Sequence, residues 1–203
     1  MDIILIILFS YLCGSVPFGL ILTKFFGKID IRKIGSGNIG ATNVLRTGNK
    51  LLALSTLMLD ALKGYIPAII TLKYFPESIQ LSCLMTLLGH IFPIWLKFKG
   101  GKGVATYLGV LFALSLQLSL LFIFTWVIVS LIFKYSSLSS MFSSLTVCVV
   151  AYIKDTALHS IKPMIDVKED INLVLFIFLI LIIFTHRENI SNLKNKTEQK
   201  IKI

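Results

Sequence analysis

Long apolar stretches alternate with short polar loops along this chain, and the alternation predicts helices that cross a membrane. A span needs about 20 mostly apolar residues, within a range of roughly 17–25. The apolar stretches cover residues 2–22, 51–72, 80–96, 104–133, 141–153 and 171–184. The first three predict one span each, and Pro17 predicts a kink in the first. We expect that helix to be retained, because it has neither a basic start nor a cleavage site of small residues.

The last three stretches leave two span counts open. Residues 104–133 are long for one span and short for two, while 141–153 and 171–184 are short unless flanking residues extend them. Seven spans, the preferred count, arise if 104–133 turns near Ser115 to Ser119 and 141–153 also crosses. Five arise if 104–133 crosses once and 141–153 does not. Either way, the fold class is an all-α integral membrane protein, a polytopic helical bundle.

Composition and charge agree with that class and suggest an orientation. The chain is 56% hydrophobic and 15% charged, with a mean hydropathy of +0.86. With seven spans and the N-terminus outside, one of the 20 lysines and arginines, Lys63, lies within a helix, and the outer loops hold only Lys73, Lys154, Lys162 and Lys168. The other 15 lie in inner loops, as expected of the cytoplasmic side. The C-terminus is then inside, and residues 188–203 form a basic cytoplasmic tail of a single domain, 1–203.

Three polar segments stand out between the apolar stretches. We call residues 35–46 the first cassette, 97–103 the second and 186–189 the third. Each is rich in cations and hydrogen-bond donors, and glycines in the first two let backbone N–H groups approach a ligand closely. The charge distribution places all three on one side of the membrane. They therefore predict a shared phosphate-binding site at a membrane surface.

The residue types in the cassettes suit phosphate in particular. Arg46 and Arg187 are two of only three arginines in the chain, and a guanidinium can contact phosphate with two parallel donors. Lys99 and Lys102 add positive charge, and the glycines at 100, 101 and 103 precede a helix predicted to begin at Val104. The net charge of +10 comes from such loops and does not indicate a nucleic-acid partner.

Other chemistry is not indicated by the sequence. The cysteines lie in apolar segments without paired spacing, which predicts buried thiols at Cys13, Cys83 and Cys148. We expect neither a metal nor a cofactor. The chain has no G-x-S-x-G elbow and no recognisable nucleophile–base pair, so a covalent enzyme intermediate is not predicted.

The order and content of the cassettes resemble one family, the bacterial acyl-phosphate-dependent glycerol-3-phosphate acyltransferases (PlsY). The resemblance is carried by Ser-Gly-Asn-x-Gly-Ala-Thr-Asn-x-x-Arg at 36–46, by the segment 89–106 with Phe-Lys-Gly-Gly-Lys-Gly at 98–103, and by His-Arg-x-Asn-Ile at 186–190. Residues 59–64 and 137–140 are supporting matches. The tail departs at two positions: Asn192 replaces a usual basic residue, and Lys196 stands where the family often has glycine.

The resemblance implies a reaction and its partners. An acyl group passes from a fatty acyl phosphate to the 1-hydroxyl of sn-glycerol 3-phosphate, giving 1-acylglycerol 3-phosphate (lysophosphatidic acid) and phosphate. This is the first acylation of bacterial phospholipid synthesis, at the cytoplasmic side of the inner membrane. The partners implied are the two substrates and the lipid bilayer, and the soluble enzyme that makes acyl phosphate is a further candidate. Transfer is expected to be direct, without an acyl-enzyme.

The resemblance also implies site residues. The catalytic candidates are Ser36, Arg46, Lys102 and His186. The phosphate- and substrate-binding candidates are these four together with Gly37, Asn38, Asn43, Lys99, Gly100, Gly101, Gly103, Ser137, Arg187 and Asn189.

Three alternatives stay open. His186 can be a general base instead of a phosphate ligand. Asp60 and Lys63, three residues apart on one helical face, can be a structural ion pair or can touch substrate, and the same choice holds for His90. A membrane transporter of organic anions or phosphate would also need cations and broken helices.

Overall fold

The computed structural model describes residues 2–158, with side chains as far as Lys154, and residues 171–201. Lys162 and Lys168, which the charge count assigned to an outer loop, lie outside the described residues. All regular structure in the described part is helical. The chain divides into two compact units, Met1–Leu114 and Ser115–Ile203, each with its own packing.

The first unit contains six α-helices. They are α1 (Asp2–Ser15), α2 (Phe18–Phe25), α3 (Ala41–Leu45), α4 (Lys50–Tyr74), α5 (Ile79–Ile91) and α6 (Val104–Leu114). Short 3₁₀ turns at Ile31–Lys33, Pro76–Ser78 and Ile94–Leu96 lie in the connections. Helix α1 packs on α5, and α4 packs on α6. The first cassette therefore lies between α2 and α4, and the second lies between α5 and α6.

Small residues let these helix pairs approach closely. A Cβ added to Gly14 of α1 would overlap the carbonyl oxygen of Thr86 on α5. On the α4–α6 pair, a Cβ at Gly64 would overlap the Thr106 carbonyl oxygen, and one at Gly109 would overlap that of Ala61. Packing of this kind is typical of membrane helices, whose association relies on close van der Waals contact.

The first apolar stretch is broken at the predicted place. Helix α1 ends at Ser15 and α2 begins at Phe18, with Pro17 between them. Proline has no N–H to continue the helical hydrogen bonds, so the helix is interrupted there. The Val16 carbonyl at the break accepts the Phe18 N–H at 3.1 Å. The ammonium of Lys63 on α4 donates to the Val16 carbonyl at 2.6 Å.

The second unit contains four helices in its described part: α7 (Leu116–Phe133), α8 (Ser136–Leu158), α9 (Asn172–Thr185) and α10 (Arg187–Lys194). Helix α8 packs on both α7 and α9. Its buried serines bond back to carbonyls one turn earlier, at 2.8 Å for Ser139, 2.7 Å for Ser143 and 2.8 Å for Ser144. The hydroxyl of Ser140 does the same and also accepts from the indole N–H of Trp126 at 3.1 Å. A serine-rich segment is thus accommodated in an apolar setting.

The helix lengths bear on the number of spans. Among the described residues, five helical segments are long and apolar enough to cross a membrane: Asp2–Phe25, Lys50–Tyr74, Pro76–Leu96, Leu116–Phe133 and Ser136–Lys154. The pair Asn172–Thr185 and Arg187–Lys194, bent by 55°, counts as a sixth if it is one span. The all-α membrane fold is confirmed. The apolar helix Val104–Leu114 has 11 residues, which covers roughly half of a bilayer's hydrocarbon core.

The two conditions for seven spans are met in part. The stretch 104–133 is divided at Ser115, which has extended backbone and accepts a hydrogen bond from the Leu118 N–H at 3.3 Å as the N-cap of α7. The stretch 141–153 is contained in the 23-residue helix α8. The count of seven, the orientation of the termini and the single domain stay predictions.

Candidate functional site

The first cassette and the 3₁₀ turn before it are anchored by apolar residues of their own. Ile31, Ile39 and Val44 are buried and belong to one cluster with residues of α2 and α4, namely Leu20, Leu52 and Ala53. The loop between α2 and α4 is therefore packed as part of the first unit, although it contains many glycines and polar residues. A loop fixed in this way can hold polar groups in place before a ligand arrives.

Asn43 is the centre of the hydrogen bonding in the first cassette. Its buried side-chain amide donates to the carbonyls of Asn38 at 2.7 Å, Ile34 at 2.9 Å and Ile31 at 3.2 Å. Its side-chain oxygen accepts from the Ser36 backbone N–H at 3.1 Å and from the Arg46 guanidinium at 3.4 Å. Asn43 thus holds the two ends of the cassette together, and its direct contact with a substrate stays a prediction.

Ser36 and Arg46 lie at the accessible rim of this loop. Ser36 is exposed and Arg46 is half-buried. Gly35, which precedes Ser36, has a φ of +55°, and a Cβ there would overlap the side-chain oxygen of Asn43 and contact Arg46. Asn38 bends the loop further, since its side-chain oxygen accepts from the Gly40 N–H at 2.9 Å. The structure therefore brings Ser36, Gly37, Asn38, Asn43 and Arg46 into one loop.

The second cassette folds back onto the end of α5. Lys97 and Phe98 have positive φ values of 52° and 61°, which turn the chain. The Gly100 N–H then donates to the Ile91 carbonyl at 3.0 Å, and the Gly101 N–H donates to the His90 carbonyl at 3.1 Å. These two amide groups are already bonded, so a phosphate would have to compete with carbonyl oxygens for them. Their predicted role in binding stays untested.

Cations of the two loops line one groove in the first unit. The groove encloses about 360 Å³ and is lined by Arg32, Trp95, Leu96, Lys97 and Lys99. The indole N–H of Trp95 donates to the Ser15 hydroxyl at 2.8 Å, and 61% of the residue's surface stays exposed. Lys102 is half-buried just before α6. Positive charge from the second cassette, and from Arg32 shortly before the first cassette, is thus presented on the first unit.

Arg32 is a groove residue to which the sequence analysis gave no role. Its guanidinium donates twice to the Asp30 carboxylate, at 2.9 and 2.7 Å. The side-chain hydrogen bond from Arg32 lowers the pKa of Asp30, and the same bond raises the pKa of Arg32. Because the pKa of Asp30 is lowered, the pair stays ionised at any pH above the ordinary pKa of an aspartate. The contact is lost only at a lower pH than that. The Asp30–Arg32 ion pair is therefore present throughout neutral pH.

The third cassette lies in the second unit with Ser137. Ser137 and Asn189 are both buried, and both donate to one carboxylate oxygen of Glu198, at 2.8 and 2.6 Å. Arg187 is exposed, with its guanidinium 4.7 Å from the ring centroid of Phe184. Glu198 was missed by the sequence analysis. The one signal for it was its position shortly after the third cassette, because its partner Ser137 is 61 residues away.

The ring of His186 is fixed by the end of α9. His186 is buried, and its Nδ1 lies 2.7 Å from the carbonyl oxygen of Ile182. A carbonyl oxygen can only accept a hydrogen bond, so Nδ1 carries the proton. In the neutral ring, Nε2 is then the atom with a lone pair. The neutral ring therefore suits a general base at Nε2, whereas phosphate binding uses the protonated ring, in which Nε2 also donates.

Asp60, Lys63 and His90 form a buried polar group among the helices of the first unit. Lys63 Nζ lies 2.8 Å from the Asp60 carboxylate, and both side chains are 4% exposed or less. His90 Nδ1 lies 3.0 Å from the Thr106 hydroxyl and 4.0 Å from Asp60. The structural ion pair foreseen as one reading of Asp60 and Lys63 is present. In the described part of the chain, no group of three potential ligands could hold a metal ion.

A model of the glycerol-3-phosphate acyltransferase family matches residues 4–196, nearly the whole chain. The chain belongs to the glycerol-3-phosphate acyltransferase (PlsY) family. It is accordingly a membrane-embedded enzyme that acylates glycerol 3-phosphate, a step of phospholipid synthesis. The cations and broken helices that also suited a transporter are accounted for by membership of this enzyme family.

Relatives and solved structures agree with this membership. The glycerol-3-phosphate acyltransferase of Pelagibacter ubique is 52% identical over 205 residues, covering 100% of both chains. That of Mesorhizobium japonicum is 49% identical over 200 residues, covering 98% of this chain and 96% of its own. A crystal structure of PlsY in a glycerol 3-phosphate form is 35% identical, with a TM-score of 0.88 over 100% of this chain and 96% of that one. A lysophosphatidic acid form of PlsY has a TM-score of 0.85, with 35% identity over 98% and 95% of the two chains.

Proposed function

We propose that this acyltransferase uses acyl phosphate as its donor and the 1-hydroxyl of sn-glycerol 3-phosphate as its acceptor. The products are 1-acylglycerol 3-phosphate (lysophosphatidic acid) and inorganic phosphate. The observation that carries the proposal is the first cassette, in which Asn43 bonds both Ser36 and Arg46 and so fixes a hydroxyl residue beside a guanidinium. Such a pair suits phosphate, which both substrates contain.

The reaction needs no group beyond the two substrates and donors that hold them. The hydroxyl oxygen of glycerol 3-phosphate attacks the acyl carbonyl carbon, a C–O ester bond forms, and the bond from that carbon to the phosphate oxygen breaks. The electron pair leaves with the phosphate, and the hydroxyl proton passes to a phosphate oxygen. Held donors and cations lower the barrier by fixing the reactants and offsetting the charge that develops on oxygen.

The proposed roles follow the position of each residue. In the first unit, Ser36, Arg46 and Lys102 hold phosphate and act in catalysis, with support from Gly37, Asn38, Asn43, Lys99, Gly100, Gly101 and Gly103. In the second unit, His186 acts in catalysis, and Ser137, Arg187 and Asn189 contribute to binding. We assign His186 to phosphate binding, with the general-base role as the alternative that its Nε2 also permits.

The proposed location is the bacterial inner membrane, with the active site at the cytoplasmic side. The uneven distribution of lysine and arginine supports this orientation. The acyl chain of the donor is apolar and can lie among the helices, while its phosphate meets the cations of the cassettes. A soluble enzyme that makes acyl phosphate would deliver the donor from the same side.

Donor identity is tested with purified protein, glycerol 3-phosphate and matched acyl donors. We expect palmitoyl phosphate to yield lysophosphatidic acid and inorganic phosphate in equal amounts. Palmitoyl-CoA and palmitoyl acyl-carrier protein should yield neither product above the rate without enzyme. Comparable rates with a thioester would exclude this donor assignment while leaving the acyltransferase family unaffected.

Direct transfer is tested by mass measurement after incubation with acyl phosphate alone. The denatured protein should have its unmodified mass, and the variant with Cys13, Cys83 and Cys148 all changed to alanine should keep most of its activity. These thiols are free, and Cys83 is buried in α5. A stoichiometric acyl adduct that passes to added glycerol 3-phosphate would establish a two-step reaction instead.

A further inference from the structure

His90 contacts the second cassette through both its backbone and its side chain. Its carbonyl accepts the Gly101 N–H at 3.1 Å. Its imidazole lies against the same residue, because a Cβ added to Gly101 would overlap His90 Nε2 and contact the neighbouring ring carbons. The ring edge is thus the surface on which the middle of the cassette rests, one residue from Lys102 and two from Lys99.

The ring itself is held from the opposite side. Thr106 on α6 is hydrogen-bonded to His90 Nδ1 at 3.0 Å, and this contact fixes the ring plane whichever of the two atoms donates. The Asp60 carboxylate lies 4.0 Å from the same nitrogen and is held by Lys63 at 2.8 Å. Lys63 in turn bonds the Val16 carbonyl at the break between α1 and α2. The ring position therefore depends on contacts with α4 and α6.

We propose that His90 is a positioning residue for the reaction: its ring sets the height and direction of the second cassette and hence the placement of Lys99 and Lys102. The inference rests on the proposed function only in assigning these lysines to phosphate. His90 is 3% exposed and covered by Gly101, so it acts through the loop and not on the substrate. Glycine at 101 is required because a side chain there would occupy the ring's place.

Two substitutions of His90 distinguish the role of the Nδ1 edge of its ring from that of the Nε2 edge. Asparagine keeps an amide atom close to the position of Nδ1, so the bond to Thr106 can form, but it lacks the edge that carries Nε2. Glutamine is longer and places an amide atom near Nε2. Gly101→Ala should collide with the histidine ring, lift the loop and lower kcat/KM about a hundredfold, as expected for a misplacement near 1 Å.

The decisive variants are the two double substitutions. Gly101→Ala with His90→Asn should recover most of the loss, because the new methyl group enters the space of the deleted ring edge. Gly101→Ala with His90→Gln should not recover. Gly100→Ala is the matched control, because a Cβ there would overlap the carbonyl oxygen of His90 and contact that of Ile91. Its defect should persist with His90→Asn.

Amide hydrogen exchange of residues 99–103 provides a measurement independent of activity. We expect faster exchange in Gly101→Ala, a return towards the wild-type rate in the double variant with His90→Asn, and no change in the α5 segment 79–87. His90→Asn alone should raise KM for glycerol 3-phosphate several-fold, with a melting temperature within about 2 °C of wild type.

The outcomes separate the inference from the proposed function. If the double variant with His90→Asn recovers neither loop protection nor activity, or recovers no better than that with His90→Gln, His90 is not a positioning residue. If the Gly101→Ala protein cannot be obtained in folded form, amide hydrogen exchange of residues 99–103 in the single variants His90→Asn and His90→Gln is the test. Equal protection of the loop in these two variants would overturn the inference. If loop exchange behaves as expected but wild-type protein does not use acyl phosphate, the donor proposal fails and the role of His90 stands.

Discussion

Asn43 shows how a single buried side chain can organise a polar loop. Its amide oxygen receives the Ser36 backbone N–H and the Arg46 guanidinium, and its amide nitrogen satisfies carbonyls of the same loop. Buried backbone groups that lose such partners cost about 1–3 kcal/mol each. The polarity of this residue therefore serves the shape of the loop, and Arg46 is the residue whose charge stays at the rim.

We expect Arg46→Ala to remove one charge-assisted phosphate contact, worth roughly 1.5–3 kcal/mol, or about ten- to a hundredfold in kcat/KM. Lys102→Ala should behave similarly. The measurement is steady-state acyl transfer at varied glycerol 3-phosphate. Lys154→Ala is the control, because Lys154 is exposed and bonds only Gln117, at 2.8 Å, among the described contacts. An equal loss in the control would show that our site map is wrong.

At this scale the sequence predicted residue types better than residue roles. The three cassettes could be recognised as candidate binding loops, because cations and hydrogen-bond donors are rare in a hydrophobic chain and are usually functional there. The role of Asn43 in holding its loop was not predictable, since its partners depend on how the loop folds. The pairing of Glu198 with Ser137 was not predictable either, since it joins residues 61 apart in sequence.

At the scale of elements, the break between α1 and α2 is in contact with a charged pair in α4. Lys63 bonds both the Asp60 carboxylate and the Val16 carbonyl, at 2.8 and 2.6 Å. An ion pair in an apolar surrounding is costly to desolvate, and removal of one partner leaves the other charge unpaired. The lysine is therefore needed as long as the aspartate is present.

Lys63→Met should destabilise the fold by about 3–5 kcal/mol, because it leaves Asp60 as a buried charge without its ion-pair partner. Thermal unfolding in detergent micelles is the measurement. The double variant Asp60→Asn with Lys63→Met should lose clearly less than the single one. If the single variant has the same melting temperature as wild type, the ion pair does not stabilise the fold in this way.

A second element-scale feature is the turn after α10. Lys196 has φ of +59°, a conformation in which a side chain meets the backbone and which glycine adopts freely. The resemblance to the family had marked this position as one that often holds glycine. The turn places Thr197 and Glu198 so that both backbone N–H groups reach the Asn192 carbonyl, at 2.8 and 3.2 Å.

Lys196→Gly should therefore stabilise the protein by about 0.5–1 kcal/mol, since it relieves the left-handed conformation. Lys194→Gly is the matched control. It lies in α10, where glycine should cost about 0.5–1 kcal/mol. Melting temperatures of both variants, measured in the same detergent, should shift in opposite directions. A fall in both would mean that the turn is not strained by its lysine.

At the scale of the whole molecule, hydropathy located the spans but not all of their ends. Segment 51–72 became α4, Lys50–Tyr74, and 171–184 became α9, Asn172–Thr185. Segment 141–153 is only the middle of α8, which starts at Ser136. Its first five residues were not apparent from the sequence, because four of them are serines, which are polar. Within the helix, serine hydroxyls are satisfied by carbonyls of the preceding turn.

Topology is the matching test. Single cysteines in the variant without native cysteines, at exposed Ser36, Lys99 and Arg187, should all react from inside and none from outside intact cells. A cysteine at exposed Lys134 should react from inside with seven spans and from outside with five. Ser139 is fully buried and cannot report. Reaction of any cassette site with an impermeable reagent in intact cells would contradict a common cytoplasmic side.

The back-bonded serines of α8 have a consequence for natural variation. Ser139, Ser143 and Ser144 each donate the hydroxyl to a carbonyl four residues earlier in the chain, so what their neighbours require of them is small volume. Exchange between serine and alanine at these positions should accumulate as neutral drift, whereas glycine within the helix should cost about 0.5–1 kcal/mol. Ser137 is different, because its hydroxyl meets Glu198. Divergence confined to the first three therefore says little about altered activity, whereas a change at Ser137 calls for a matching change in the tail.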